Sequence, residues 1–412
     1  MVTIIPFKAL RPGAQHAKQV ASKPYDVLSS REAKIEAQGN PISFLHITKS
    51  EIDLPENLSP YAPEVYDKAK ENLVAFKSRE ILFLENKPCY YIYRLVMPAI
   101  GNIGKEHTQT GLVCCSSLKD YDSGYIKKHE YTRPDKELDR INHIKITGAQ
   151  TGNVFLAYKN IEDIDIIIAQ WKTERSPVYD FIADDMIRHS IWIINDGDII
   201  SKITSIFKNK VPCSYIADGH HRAASAAKAR QYFDSKESGF FLTTLFPSNQ
   251  LQILDYNRVI KDLNGINPHD LLKEIREKFT VEKKDKAISP SEQHTFGMYL
   301  EHQWYHLAAK ENIINKDPMG VLDITILQNN ILEPLLGISD QRTDKRIDFV
   351  GGIRGVTELE NRVDQGDAVA FSLYPVSIEQ LFNIADSGDV MPPKSTWFEP
   401  KLRDGLLTNL IN

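Results

Sequence analysis

Cysteine is scarce in this chain, long apolar runs are missing, and positive charge is not in excess. Among 412 residues there are four cysteines, Cys89, Cys114, Cys115 and Cys213. Their spacing fits no metal-ligand pattern and is too sparse for a disulfide framework, so a reducing, cytoplasmic setting is expected. No stretch approaches the length of a membrane span, and the apolar run in residues 1–8 is too short for a signal peptide. Neither a membrane partner nor export is therefore expected. A net charge of −5 and a pI near 6.2 leave no broad basic field, which argues against nucleic acid as a partner. Internal repeats and low-complexity tracts are absent too.

What is present is an ordinary globular composition, 42% hydrophobic and 25% charged, in a chain long enough for two or three packed units. Apolar runs predict strands over 2–7, 89–97, 110–118, 154–158, 187–195 and 240–247. Helices are predicted over 63–77, from 134 or 135 onward, and over 161–173 and 197–207, with prolines at two of these starts. Beyond 251 a helix near 268–279, strands at 295–300 and 304–309, and an apolar helix over 322–336 follow. The alternation gives an α/β (α+β) class. We divide the chain into an N-terminal α/β region, 1–105, a central unit, 106–250, and a C-terminal region, 251–412.

The most informative string is Asp218-Gly219-His220-His221-Arg222. An apolar run precedes it and an alanine-rich helix former follows, which puts Asp218 and Gly219 at a strand-to-helix turn. Unpaired backbone N–H groups and the positive end of the helix dipole then face whatever lies in front, an arrangement suited to anions. His220, His221 and Arg222 add donors and positive charge, and Asp218 adds a carboxylate able to hold a metal or accept a proton. The plainer alternative is a surface helix that Asp218 merely caps.

Two further stretches carry polar chemistry. In 127–143, a helix starting at Pro134 leaves His129, Glu130 and Thr132 on the preceding loop, while Arg140 and His143, three apart, share one helical face. Such a loop can present a carboxylate base beside basic groups, and a solvated charged helix is the alternative. A zinc site from His129, His143, His220 and His221 is a third option without a matching ligand spacing. In 385–406, three prolines stiffen a segment presenting Lys394, Ser395, Thr396 and Lys401, residue types that address phosphate oxygens. The glycine pattern of a P-loop is missing.

Pro24-Tyr25-Asp26-Val27, His129-Glu130-x-Thr132, Asp218-Gly219-His220-His221-Arg222 and Met391-Pro392-Pro393-Lys394-Ser395-Thr396-x-Phe398-x-Pro400-Lys401 follow one another as in a bacterial family known as domain of unknown function 1015, which the chain resembles over nearly its whole length. That family is similar to the free L-serine kinases of the ParB/sulfiredoxin-like superfamily. The resemblance implies a ParB-like central unit and transfer of a phosphoryl group from pyrophosphate, ADP or ATP to free L-serine. In that scheme Gly219, His220, His221 and Arg222 cradle the donor phosphates. Lys394, Ser395, Thr396 and Lys401 close over the transferred group, Asp218 holds Mg²⁺, and Glu130 is the base. Asp26, His129, Thr132, Arg140 and His143 are expected to contact the amino acid. A nucleotide-switched binding module and a nuclease built on His220 and His221 are the competing readings.

Overall fold

The computed structural model describes residues 1–99 and 104–411, so that 100–103 and 412, within the expected stretches 1–105 and 251–412, lie outside the described residues. The chain forms two compact units. One comprises Met1–Pro98, Glu106–Leu251 and Pro400–Asn412, and the other comprises Ala99–Lys105 and Gln252–Glu399.

The first unit is organised on a mixed nine-stranded sheet. Its strands are β1 (Ile4–Ile5), β2 (Tyr90–Met97), β3 (His107–Ser117), β4 (Ile126–Lys127), β5 (Val154–Tyr158), β6 (Tyr179–Ile182), β7 (Arg188–Ile194), β8 (Ser214–Asp218) and β9 (Phe240–Pro247). They lie in the order β4-β8-β5-β9-β3-β2-β7-β6, with β1 added alongside β3. β8 runs parallel to β4 and antiparallel to β5, while β9 runs parallel to β5 and antiparallel to β3. All five residues of β5, Val-Phe-Leu-Ala-Tyr, are buried, so helices or loops must cover both of its faces.

The covering helices are α1 (Pro63–Ser78), α2 (Pro134–Thr147), α3 (Glu162–Glu174), α4 (Gly197–Lys210) and α5 (His220–Ala229). α2 begins with proline, carries Asp135 and Glu137 in its first turn and ends at Gly148 with φ +65°, which satisfies the usual start and stop chemistry of a helix. α5 buries Ala223, Ala224, Ser225, Ala226 and Ala229, and such small side chains let it approach its neighbours closely. Ser225 Oγ donates to the Glu137 carbonyl of α2 at 3.0 Å.

The grouping differs from the three expected stretches for a reason that lies in strand pairing. β1 and β2 both pair with β3, so two strands before 98 complete the central sheet, whereas Ala9–Pro12 and Leu82–Leu84 belong to a separate four-stranded sheet. Thr408–Leu410 pairs with both Ala9–Pro12 and Ala149–Gln150, which returns the last residues to the first unit.

The second unit is a six-stranded antiparallel sheet. Its strands are β10 (Tyr256–Ile260), β11 (Phe279–Lys284), β12 (Thr295–Leu300), β13 (Gln303–Ala309), β14 (Ile347–Gly351) and β15 (Val369–Leu373), in the order β11-β13-β12-β15-β10-β14. The helix expected over 322–336 is α-helical only at Asp323–Leu327, widens through Gln328–Leu332 and ends in turns. Pro334, which has no N–H to donate, accounts for the stop.

Gly111 in β3 lies where a Cβ would sit 2.7 Å from Thr244 Cγ2 and 2.8 Å from the Phe246 ring on β9. Gly111→Ala should therefore destabilise the first unit by about 1–3 kcal/mol through overpacking, read as a lower midpoint in urea unfolding.

Candidate functional site

β8 ends at Asp218, and Gly219, at φ +95°, turns the chain into α5. A Cβ at Gly219 would meet the Arg222 guanidinium at 3.1 Å, so both the backbone angle and the neighbour favour glycine there. Gly219 is itself the N-cap, and no side chain caps this helix. Asp218 therefore does not cap, contrary to the plainer reading. Its carboxylate is turned to Lys401, whose Nζ donates to Oδ2 at 3.0 Å, and to Arg222, whose Nη2 is 3.6 Å from Oδ1. Burial opposes its ionisation, but Lys401 and Arg222 overcome burial and hold the Asp218 carboxyl far below the usual range.

Arg222 gathers four segments of chain. Its guanidinium donates to the Asn153 carbonyl, lies 3.5 Å from Asp26 Oδ2, reaches Asp218, and is close to Asp404. Burial works against this charge, and Asp26, Asp218 and Asp404 together raise the pKa above its ordinary value. Gly152 makes the approach feasible, since a Cβ there would lie 3.2 Å from Asp404 Oδ1 and 3.3 Å from Arg222 Cδ.

The two histidines turn out to tie down the loop in front of them. His220 Nε2 accepts from the His129 N–H at 3.4 Å, and His221 Nε2 accepts from the Arg133 N–H at 2.9 Å. With Nε2 as acceptor, each neutral ring carries its proton on Nδ1. His220 Nδ1 faces Glu130 Oε2 at 3.8 Å, so the loop's carboxylate sits against the start of α5. The His129 and His220 rings meet edge to face at 4.5 Å between centroids. Burial lowers the His129 pKa to about 4 and pushes His220 well below its usual value, so both rings are neutral at pH 7.

Beside this turn lies a small cavity lined among others by Tyr25, Arg140, His143, Thr151, Arg222 and Asp404. Arg140 stacks on the Tyr25 ring at 4.0 Å and is paired with Asp139 at 2.8 Å. His143 Nε2 donates to the Ile47 carbonyl at 3.0 Å. Asp404 is 1% exposed, and Arg222, Arg140 and the Tyr25 N–H favour the charged form of its carboxylate. Burial raises its carboxyl to about 7 against the pull of Arg222.

The structure thus brings together Asp26, His129, Glu130, Asp218, Gly219, His220, His221, Arg222 and Lys401 around one turn, with Arg140 and His143 in the adjoining cavity. Thr132 is engaged elsewhere: its hydroxyl donates to Glu137, which Lys228 also pairs. Lys394, Ser395 and Thr396 belong to the second unit. Lys394 adopts φ +55° with Nζ 5.7 Å from the Tyr256 ring centroid, and Ser395 Oγ donates to the Pro392 carbonyl at 2.7 Å. A metal-holding Asp218 does not fit this geometry, because two cations already neutralise it. Among the described residues, no group of three or more His, Cys, Asp or Glu side chains is arranged to hold a metal, the four histidines included. Asp404, Thr151 and Gly152 were missed, and the Asp404-Gly405 turn pair was the available signal.

These features define a mixed α/β protein with a strand–turn–helix whose helix start no side chain caps. The sequence matches the family described as "Protein of unknown function (DUF1015)" over residues 4–325, and the chain belongs to that family. No curated protein matches it. Among solved structures it is similar to a free serine kinase in complex with AMP, with 12% identity and a TM-score of 0.35 over 70% of this chain and 86% of that one. A conserved hypothetical protein from Pyrococcus furiosus gives 14%, 0.36, 73% and 95%, and SbnI with a C-terminal truncation from Staphylococcus aureus gives 11%, 0.41, 72% and 87%. Among the described residues no helix is long and apolar enough to cross a membrane.

His143 offers a test of the buried-histidine chemistry. Burial lowers its pKa to about 4, against ~6.5 in an unfolded chain. Its neutral form therefore supports the fold above ~6.5, and that support is lost as pH falls toward 4. The unfolding free energy should drop between pH 7 and pH 5, and His143→Gln should shrink that drop by roughly 2 kcal/mol in denaturant titrations at the two pH values.

Proposed function

We propose that the first unit transfers a phosphoryl group to the hydroxyl of free L-serine, giving O-phospho-L-serine, with pyrophosphate or a nucleotide as donor. The observation that carries this reading is the pairing of an uncapped helix start, with Arg222 in its first turn, with a cavity that holds unlike charges. The helix start suits donor phosphates, through the first-turn N–H groups and Arg222, with Lys401 alongside. The cavity suits a zwitterion: Arg140 and Arg222 favour a carboxylate, and Asp404, a buried carboxylate in its lining, favours an ammonium group. In this reading Asp404, which lines the cavity, takes the role in place of Asp26, which pairs with Arg222 at 3.5 Å.

In the reaction the serine Oγ forms a bond to the terminal phosphorus as the bond from that phosphorus to the leaving phosphate oxygen breaks. The hydroxyl proton passes to the Glu130 carboxylate. His220 and His221 act as positioning residues, because they hold the loop that carries Glu130. Phosphoryl transfer asks mainly for alignment and charge neutralisation, and both are supplied here by fixed groups. Mg²⁺ is placed on the substrate side, as the ion that accompanies a diphosphate.

Phosphorus NMR of the full chain with L-serine and Mg²⁺, offered pyrophosphate, ADP and ATP separately, should show a phosphoserine resonance in at least one sample. Silence in all three with folded protein overturns the reading and returns the site to a nucleotide-binding module. Glu130→Gln should lower kcat by ~10²–10⁴-fold, whereas Asp404→Asn should act chiefly on KM for serine. Because Asp404 titrates at about 7, the same KM should rise as pH falls below that value and the carboxylate takes up its proton.

A further inference from the structure

A line of polar contacts runs from α1 through α2 to Arg140. The Tyr66 hydroxyl of α1 donates to Asp139 Oδ1 on α2 at 3.0 Å, and Asn142, three residues beyond Asp139 and so on the same helical face, lies beside that hydroxyl. Burial and the neighbouring Asp139 push the Tyr66 phenol up to about 12, so it stays a donor. The other oxygen of Asp139 accepts from Arg140 Nε at 3.0 Å and lies 2.8 Å from Nη2.

This ion pair is not what a helix forms by default. Successive side chains leave the axis about 100° apart and do not face each other. Asp139 turns to α1, whereas Arg140 and His143 share the face that lines the cavity. For the two to meet, Asp139 has to be held, and Tyr66 holds it by its far oxygen. Both charged side chains are enclosed, with 7% of Asp139 and 11% of Arg140 exposed. Burial works against the Arg140 charge, and Asp139 contributes most to raising its pKa above the ordinary value.

The guanidinium is thereby fixed in two directions. Asp139 takes the edge formed by Nε and Nη2, and the Tyr25 ring covers the face, with Cζ 4.0 Å from its centroid. Neither contact uses the edge formed by Nη1 and Nη2, which matches the two oxygens of a carboxylate. We propose that Asp139 and Tyr66 are positioning residues that set Arg140 to receive the carboxylate of the acceptor, so that the site selects a hydroxy amino acid over a simple amino alcohol. The proposal rests on the kinase reading for the identity of that acceptor.

The test compares the full wild-type chain with Asp139→Asn and Tyr66→Phe, each checked for a native circular dichroism spectrum. L-serine binding is measured by equilibrium dialysis, and kcat and both KM values with the donor that serves the wild type. Asp139→Asn should weaken L-serine about tenfold in Kd and KM, and Tyr66→Phe about threefold, with kcat and the donor KM unchanged. Ethanolamine, which has the hydroxyl and ammonium groups of serine without its carboxylate, should be the poorer acceptor, and Asp139→Asn should leave its kcat/KM as in the wild type. Should Asp139→Asn lack a native spectrum, Tyr66→Phe decides. Equal L-serine Kd in the wild type and the folded variants overturns the proposal while turnover keeps the kinase reading. A loss shared by L-serine, ethanolamine and the donor also overturns it, since Asp139 would then be structural only. A wild type that binds L-serine and makes no phosphoserine removes the kinase reading alone, because the Kd values still decide this proposal. Absence of L-serine binding overturns both.

Discussion

Everything at the turn after β8 depends on the enclosure of one permanent charge, the Arg222 guanidinium. A cation so far from water is tolerable only with counter-charge around it, and Asp26, Asp218 and Asp404 supply it from three separate segments. The surplus negative charge is met in turn by Lys401 on Asp218 and by Arg140, which lowers the Asp404 carboxyl. Fixing Arg222 thereby fixes where the chain near 26, near 153, near 218 and near 404 must run. The main-chain geometry agrees with this demand, because glycine at 152 and at 219 removes two Cβ atoms that would crowd the Arg222 side chain, the first at its stem and the second at its guanidinium.

The histidines illustrate how one string serves two purposes. Read as residue types, His220 and His221 are donors for phosphate. In the folded chain their Nε2 atoms accept from the backbone of 129 and 133, so the helix start and the preceding loop become one rigid piece. Glu130 owes its position to that piece, and the neutrality of the buried His220 ring follows from its enclosure.

Much of this was legible in the residues. The apolar runs at 154–158 and 240–247 became β5 and β9 with those bounds, the prolines at 63 and 134 opened α1 and α2, and the strand–turn–helix at 218–220 is as its alanines and glycine indicate. Local chemistry decides such features. What local chemistry does not decide is pairing at long range. Nothing near Ile4 or Tyr90 says that both will join His107–Ser117, so the N-terminal residues were assigned to a layer of their own. Asp404 was passed over for the same reason. Only the fold reveals that an aspartate next to a glycine near a chain end is sealed against Arg222. The loop around Lys394 shows the converse, since a composition suited to phosphate led to Lys394, Ser395 and Thr396 being expected at the donor, and these residues belong to the other unit.

The first unit is also interrupted: residues 252–399 stand between its body and the strand Thr408–Leu410 that knits Ala9–Pro12 to Ala149–Gln150. Translation runs in one direction, so the ribosome makes the entire second unit before Lys401 and Asp404 exist. Until then Asp218 lacks its lysine, Arg222 lacks one of its counter-charges, and the sheet edge at 9–12 and 149–150 waits for its closing strand. The charges around the turn after β8 are therefore completed only after the whole second unit has been made.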